Sequence, residues 1–321
     1  MTVAVLMFPQ VLVDGLILGF MYALIALGYT MVYGVLQLIN FAHSEIFVLG
    51  AFVGAEILLT LQAWGYLHSL HPILLLVMLV ATGMAASGLL AVGVERVAYR
   101  PLRNAPRLIP LISAIGMSFF LQDAIRLVES LWRNAFYLTY PTLDLLNQRI
   151  HFGTVFDVSL KSIIVIIAAL LMLLALHLLV NRTKIGKAIR AVAEDQATAS
   201  LMGINVNRII SLTFLIGGAM GGAAGVLFGI QYSLINPYTG FVPGIKAFTA
   251  AVLGGIGNIP GAMVGGLVLG LLEAFSASYL ALLTGGAFGA EYKDILAFSV
   301  LILILIFRPR GLMGEVVAAR T

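Results

Sequence analysis

The stretch KSIIVIIAALLMLLALHLLV, residues 161–180, carries one lysine at its start, one histidine near its end and a single serine; every other side chain is apolar. It runs straight into NRTKIGKAIR, residues 181–190, where Arg182, Lys184, Lys187 and Arg190 crowd into ten positions. A helix needs about 20 apolar residues to cross a hydrocarbon layer of about 30 Å, and a burst of Lys and Arg after such a run marks the end of a membrane span. Working outward, runs of similar character are centred at 11–34, 47–66, 72–93, 108–127, 209–230, 261–283 and 291–307. A shorter glycine-rich run at 244–258 reads as a short span or a broken helix. Composition agrees: 61% of residues are hydrophobic and 10% charged, against roughly 45–50% and about 25% in a soluble domain. The expectation is an all-α polytopic membrane protein of eight or nine transmembrane segments, one transmembrane domain over 1–321.

Basic residues set the expected orientation. Arg96, Arg100, Arg103 and Arg107 stand in the 94–107 loop against Glu95 alone, Arg182, Lys184, Lys187, Arg190 and Arg208 in 181–208, and Arg308, Arg310 and Arg320 in the tail. These stretches hold 12 of the 18 Lys and Arg, so all three are expected in the cytoplasm. Nine crossings would put the N-terminus outside and the C-terminus inside. Spread over short loops, the cations form no face for nucleic acid despite a net charge of +4. Residues 1–10 place no cation ahead of the first apolar run, which is therefore read as a retained span rather than a cleaved signal. With no cysteine, disulfides, thiolate metal sites and a Cys nucleophile are excluded.

The 128–160 segment balances Arg133 and Arg149 against Glu129, Asp144 and Asp157, and Pro141 and Gly153 interrupt its aromatic and β-branched residues. It is expected outside, as an ordered cap or as a plain connector. An internal repeat is also visible. Leu38-Ile39-Asn40 recurs as Leu234-Ile235-Asn236, each after a small-residue-rich helix (19–34 and 217–231) and before another helix. With Asn40 near the inner face and Asn236 near the outer, the copies point in opposite directions, as in transporters built from inverted repeats around a substrate path. Gly217, Gly221, Gly225 and Gly229, Gly218 and Gly222, and the pairs Gly261–Gly265 and Gly266–Gly270 recur at four-residue spacing. Such faces let helix backbones touch in lipid.

Residues 186–204 are too polar to span and too long for a simple turn. Ala188, Val192, Ala199 and Met202 fall near helical spacing and Gly203 is placed to end a helix, which predicts a short amphipathic helix across the cytoplasmic mouth. Glu194 and Asp195 at its centre would be repelled by anionic headgroups, so a docked protein suits this face better than a lipid surface.

Ala193-Glu194-Asp195 followed by Gly203-Ile204 resembles the loop with which permeases of ABC importers grip their ATPases. The whole chain, from about residue 11 to 314, is similar to the branched-chain amino acid permease family, its H-type subunit in particular. The carrying motifs include YALIALGYTMVYG (22–34), INFAHSE (39–45), AYRPLR (98–103), RAVAED (190–195), KAF (246–248), LGG (253–255) and FRPRGL (307–312). Ser44 departs from the usual glycine of the second motif, at a helix start where serine can cap.

The resemblance implies one subunit of an ATP-driven importer in a bacterial inner membrane. The assembly would hold a second homologous permease, two ABC ATPase subunits carrying Mg-ATP, and an external solute-binding protein. It implies branched-chain or other neutral amino acids as substrate, with urea or short amides as the alternative. It also implies that Arg190, Ala193, Glu194, Asp195, Ala199, Leu201, Met202 and Gly203 meet the ATPase. The chain itself shows no P-loop: at its only Gly-Lys pair, Gly186-Lys187, Asn181 and Ala188 stand where G-x-x-x-x-G-K-[ST] demands Gly and Ser/Thr. No enzyme chemistry and no bound cofactor or metal are expected in it. A gradient-driven secondary transporter is the competing reading, and it leaves 186–204 without a role.

Polar groups at membrane depth are costly and mark pathways or buried links. Asn40, His43, Glu45, Asn236, Lys246 and Glu273, with Phe41 of the same motif, are the candidate pathway residues. Glu273 is the deepest ionisable group, either a gating contact or a link between helices. Asn40 and Asn236 end helices and can cap them. His43 and Glu45 lack the further ligands that a metal would need.

Overall fold

The computed structural model describes residues 2–67, 69–103, 105–106, 108–152 and 156–314. Arg107, Gly153 and Arg320, used in the reading above, lie outside the described residues.

Helix α1 (Thr2–Leu36) is 35 residues long, about 52 Å at 1.5 Å per residue. It ends where Gln37 takes a left-handed conformation, φ 52. The chain then turns back to start α2 (His43–Ala63). His71 caps α3 (Pro72–Val94), with Pro72 in the first turn where its missing N–H costs nothing. A π-helical turn (Glu95–Tyr99) and a 3-10 turn (Arg100–Leu102) follow, and then α4 (Leu108–Trp132). The 128–160 segment folds as β1 (Leu138–Thr139), the single turn α5 (Asp144–Asn147), and the antiparallel hairpin of β2 (Arg149–Phe152) with β3 (Phe156–Ser159), Ile150 opposite Val158. Ser159, Thr183, Asp195 and Asn205 cap α6 (Leu160–Arg182), α7 (Lys184–Glu194), α8 (Gln196–Leu201) and α9 (Val206–Tyr232) in turn. Each supplies a side-chain oxygen to the free amides of a helix start. Past β4 (Leu234–Ile235) lie α10 (Phe241–Gly254), α11 (Ile259–Leu283) and α12 (Lys293–Phe307).

Seven of these helices, α1 to α4, α6, α9 and α11, are long and apolar enough to cross a membrane. The 244–258 run is the short helix α10, 14 residues or about 21 Å. The 291–307 run, expected as a full span, yields only the 15 residues of α12. Its start is displaced by a 3-10 turn (Ala290–Tyr292), and Lys293 and Asp294 are drawn into ion pairs with buried charges. The predicted amphipathic helix at 186–204 is likewise two helices. Asp195 adopts an extended backbone (ψ 111) between α7 and α8 because its carboxylate caps α8, accepting from Ala197 N at 2.8 Å and Thr198 N at 3.2 Å.

The two Leu-Ile-Asn copies share more than three residues. Each follows a long helix that ends on a left-handed non-glycine residue, Gln37 in one and Ser233 in the other. In each the asparagine carbonyl accepts a hydrogen bond from the amide three residues on, His43 N at 3.1 Å and Thr239 N at 3.0 Å. They sit at opposite ends of the molecule: Asn40 meets Tyr99 of the π turn, whereas Leu234 and Ile235 pair with Thr139 and Leu138. Packing follows the same inversion, α1 lying against α11 and α9 against α3. At Gly270 a side chain would overlap the backbone of Gly19, and at Gly222 the carbonyl of Gly83. The glycine faces are therefore helix-to-helix backbone contacts.

One end of the bundle gathers the basic stretches. Arg100 and Arg103 reach Ser211 and Asn207 near the start of α9, and Leu312 N and Met313 N bond to the last carbonyls of α10. The other end holds the 128–160 segment, where Gln10 of α1 exchanges hydrogen bonds with the backbone of Asp157.

Candidate functional site

The first repeat turn folds inward. His43 packs against Gly28 and Gly221 and stacks edge-on against Tyr29, ring centroids 4.6 Å apart. Gly28 lies about two turns before the end of α1, so α2 begins well below the surface. The chain of the second repeat turn also descends, since Gly240 and Gly244 abut Ser44. The starts of α2 and α10 thus converge inside the bundle. Broken helices meeting at depth are tolerated where they line a cavity, and one is present.

The cavity measures about 240 Å³. Phe241, Ile245 and Phe248, one face of α10 at helical spacing, form one wall. Ile115 and Phe119 of α4 form the opposite wall, and Phe41 and Tyr29 close it. Its polar groups are few: Ser44, Ser118 and Gln122 beside the Tyr29 hydroxyl. Behind the two serines lies Glu45, 0% exposed. Its Oε1 accepts from Ser44 Oγ at 3.1 Å and from Ser118 Oγ at 3.2 Å, while Oε2 has no hydrogen-bond partner among the described residues. Asn40 is tucked beneath, its Oδ1 accepting from the Tyr99 hydroxyl at 2.7 Å.

Lys246 and Glu273 belong to a different place. Lys246 projects from another face of α10 and donates to Glu273 Oε1 at 2.7 Å. The same carboxylate accepts from the Tyr22 hydroxyl at 2.7 Å and pairs with Lys293 at 2.9 Å, and Lys246 also pairs with Asp294 at 2.7 Å. This network ties α1, α10, α11 and α12 together, which is the geometry of a link between helices. Asn236 is farther away again, at the 128–160 end, where its Oδ1 accepts from Tyr238 N at 2.8 Å and closes its own turn. Of the candidates, then, Phe41 lines the cavity and Glu45, His43 and Asn40 stand behind its wall. Lys246 and Glu273 pair elsewhere, and Asn236 is remote.

The sequence reading missed the α4 contribution, Ser118 and Gln122 above all. A lone serine or glutamine in an apolar run carries no signal of its own; the only hint was that Gln122 and Asp123 interrupt the 108–127 stretch. It also missed how Glu95 is used. Fully buried, Glu95 accepts from Arg100 at 3.0 Å, from Arg103 and from Ser211 Oγ at 2.7 Å, clamping the π turn to α9.

At the basic end, α7 buries Gly186, Ile189 and Val192 against the bundle and α8 buries Ala199. Arg190 turns back to Asn181 Oδ1 at 3.0 Å. Gly203, φ 81, ends α8 as expected, and just before it Leu201 and Met202 are 88% and 77% exposed. A second, polar hollow of about 980 Å³ lies at the opposite end among α1, α6, α9 and α11, reached by Asp14, Lys161 and Tyr232. Among the described residues no group of three or more His, Asp or Glu could hold a metal.

The family described as branched-chain amino acid transport system / permease component matches residues 11–305. The high-affinity branched-chain amino acid transport system permease protein BraD of Pseudomonas aeruginosa is 48% identical over 306 residues, 95% of each chain. The corresponding protein LivH of Escherichia coli is 45% identical over 314 residues, 97% of this chain and 96% of its own. LivM of Escherichia coli, also a permease of such a system, is 27% identical over 167 residues, 50% of this chain and 37% of its own. No solved structure matches. With a family match that spans most of its length and two relatives of this similarity, the chain belongs to the branched-chain amino acid transport permeases, a family of multi-pass membrane transport subunits rather than enzymes.

Proposed function

We propose that this chain is the H-type permease subunit of an ATP-driven importer of branched-chain and related neutral amino acids in a bacterial inner membrane. The basic end is then cytoplasmic, by the Lys and Arg bias of its loops, and the 128–160 segment faces outward as a cap over the polar hollow. Transport requires an energy source, a partner for the pathway and a delivery protein. Two ATPases carrying Mg-ATP dock on α7 and α8, a second homologous permease completes the path, and an external binding protein delivers the solute. Two Escherichia coli permeases of this kind, LivH and LivM, both align with this chain, which supports a pair of related permeases.

The observation that carries the reading is Leu201 and Met202. Two large apolar side chains stand almost fully exposed at the tip of a capped, glycine-terminated helix, on the end of the molecule expected to face the cytoplasm. Apolar anchors presented on a rigid helix are what a protein groove accepts. Closure of the ATPases would push on α8 through these anchors and on the bundle through Ile189 and Val192, rocking one repeat against the other. The solute path runs through the α2–α4–α10 cavity, whose aromatic and aliphatic walls suit a branched side chain. Its volume of about 240 Å³ is below the roughly 300–1,000 Å³ of drug-sized sites, which suits a small solute. Purification of the tagged chain from native membranes, with mass spectrometry of what accompanies it, tests the assembly. P-loop ATPases and a second permease are expected; a chain that emerges alone overturns the reading.

A further inference from the structure

Every charge taken out of water needs a partner, and the cost of leaving one out is large. Glu95 meets this demand with two arginines and Glu273 with two lysines. Glu45 is buried as deeply, and among the described residues none of the ion pairs reaches it. Among the described residues the hydrogen-bond partners of its carboxyl are two serines, both on the cavity wall. A serine that donates its proton to a carboxylate turns its lone pairs the other way. Ser118 does so at 3.2 Å, and the Ser44 proton is shared between Glu45 at 3.1 Å and the Phe41 carbonyl at 2.8 Å. The cavity therefore offers two hydroxyl acceptors backed by a carboxyl group that no cation pairs among the described residues, in a chamber otherwise walled by Phe41, Ile115, Phe119 and the apolar face of α10.

We propose that Glu45, acting through Ser44 and Ser118, is the positioning group for the α-ammonium of the amino acid in transit, so that this permease checks for a cation beside an apolar side chain. The inference rests on the function proposed above and deepens it, since it gives the permease a recognition step of its own in addition to that of the binding protein. The solute completes the ion pair that the chain leaves open. Glu45 is a helix-start acid on α2, where the macrodipole favours a negative charge; the fold holds it in place, and the substrate supplies the counter-charge.

The test uses the whole complex, with its second permease and ATPases, in proteoliposomes supplied with leucine-loaded binding protein. Leucine uptake and ATP hydrolysis are measured together for wild type, Glu45→Gln, Glu45→Asp and Ser118→Ala. Loss of a charge-assisted hydrogen bond predicts a drop in leucine uptake of about 10- to 100-fold in Glu45→Gln. ATPase stimulation by the loaded binding protein should fall much less than uptake, because Glu45 and Ser118 lie on α2 and α4, whereas α7 packs chiefly on α1, α6 and α9. Glu45→Asp should recover part of the uptake, and Ser118→Ala should fall between. Wild-type uptake from Glu45→Gln overturns the proposal. So does parallel loss of uptake and ATPase stimulation in Glu45→Gln that Glu45→Asp does not relieve, which is the pattern of a structural residue. A wild-type complex that assembles with ATPases and moves no leucine overturns the function proposed above and this inference with it, and is told apart by the wild-type arm alone.

Discussion

Helix α10 stands between two buried carboxylates that are furnished in opposite ways. On one side Glu273 is 2% exposed and held by Lys246, Lys293 and Tyr22. On the other, Glu45 is 0% exposed and held by two serines. Both sit in a chain with few charges, where each ionisable group at depth carries a cost. The difference separates two uses of that cost. A closed network such as that of Glu273 fixes helices to one another; an open one such as that of Glu45 leaves an unmet demand behind a cavity wall. The broken second repeat makes this possible, since a 14-residue α10 can present Lys246 to α11 while Phe241, Ile245 and Phe248 face the cavity.

The comparison breaks most visibly on the closed side. Glu273→Leu should leave Lys246 and Lys293 with half their counter-charge and cost about 3–5 kcal/mol, the usual penalty for removing one partner of a buried pair. Accumulation of the protein in membranes and its unfolding temperature in detergent should both fall sharply. Adding Lys246→Met, Lys293→Met and Asp294→Leu should restore much of the loss, because a network replaced as a whole by apolar groups is often neutral. If Glu273→Leu folds as well as wild type, the network is not the clamp described here.

The open side should respond with the opposite sign. Glu45→Gln removes a buried carboxyl that no cation pairs among the described residues, so its unfolding temperature should equal or exceed that of the parent, while the substitution at Glu273 lowers it. Thermal unfolding of the two purified variants side by side reads this directly. A destabilised Glu45→Gln would mean that the carboxylate serves the framework after all, and the contrast between the two acids would collapse.

A third perturbation leaves both carboxylates alone. Leu201→Glu with Met202→Glu places charge on the exposed tip of α8, where neither side chain packs on the bundle. Truncating or charging an interface anchor costs about 2 kcal/mol or more, so recovery of the ATPases with the tagged chain should fall at least tenfold while the chain's own stability is unchanged. Retention of the ATPases would move the docking surface elsewhere.

Much of this architecture is legible in the sequence because membrane spans obey one rule, the length of an apolar run. Seven of the eight expected full spans are long and apolar enough to cross, and the eighth run, 291–307, is helical over 15 of its 17 residues as α12, whose first two residues, Lys293 and Asp294, pair with Glu273 and Lys246. The inverted repeat is also legible, since Leu-Ile-Asn recurs in the same kind of place and the backbone repeats with it. The cavity is less so. Its walls come from α1, α2, α4 and α10, and which faces of four apolar helices converge is decided by glycine contacts that pattern alone does not pair. Asp195 shows a further limit. Its acidic neighbourhood pointed to a docking contact; the carboxylate also caps the start of α8, a role that only the break between α7 and α8 reveals.

That cap supplies the smallest expected effect and separates charge from geometry at α7 and α8. The Thr198 hydroxyl, then the Thr198 and Ala197 amides, hold the Asp195 carboxyl below the ordinary carboxylate range. A group depressed in the folded state contributes in full above its unfolded pKa of about 4 and loses that contribution only as pH falls through the lower folded value. ATPase retention should therefore be flat from about pH 5 to 8 as far as Asp195 is concerned. Asp195→Asn keeps an oxygen acceptor for the Ala197 and Thr198 amides and removes the charge; Asp195→Ala removes both. If α8 matters as a correctly started helix, Asn should retain the ATPases nearly as well as Asp, and Ala should lose about two- to fivefold, in line with the preference for Asn and Asp over Ala at helix starts. If Asn and Ala lose them equally, it is the negative charge that the ATPase reads, and the sequence-based expectation for Asp195 stands alongside its capping role.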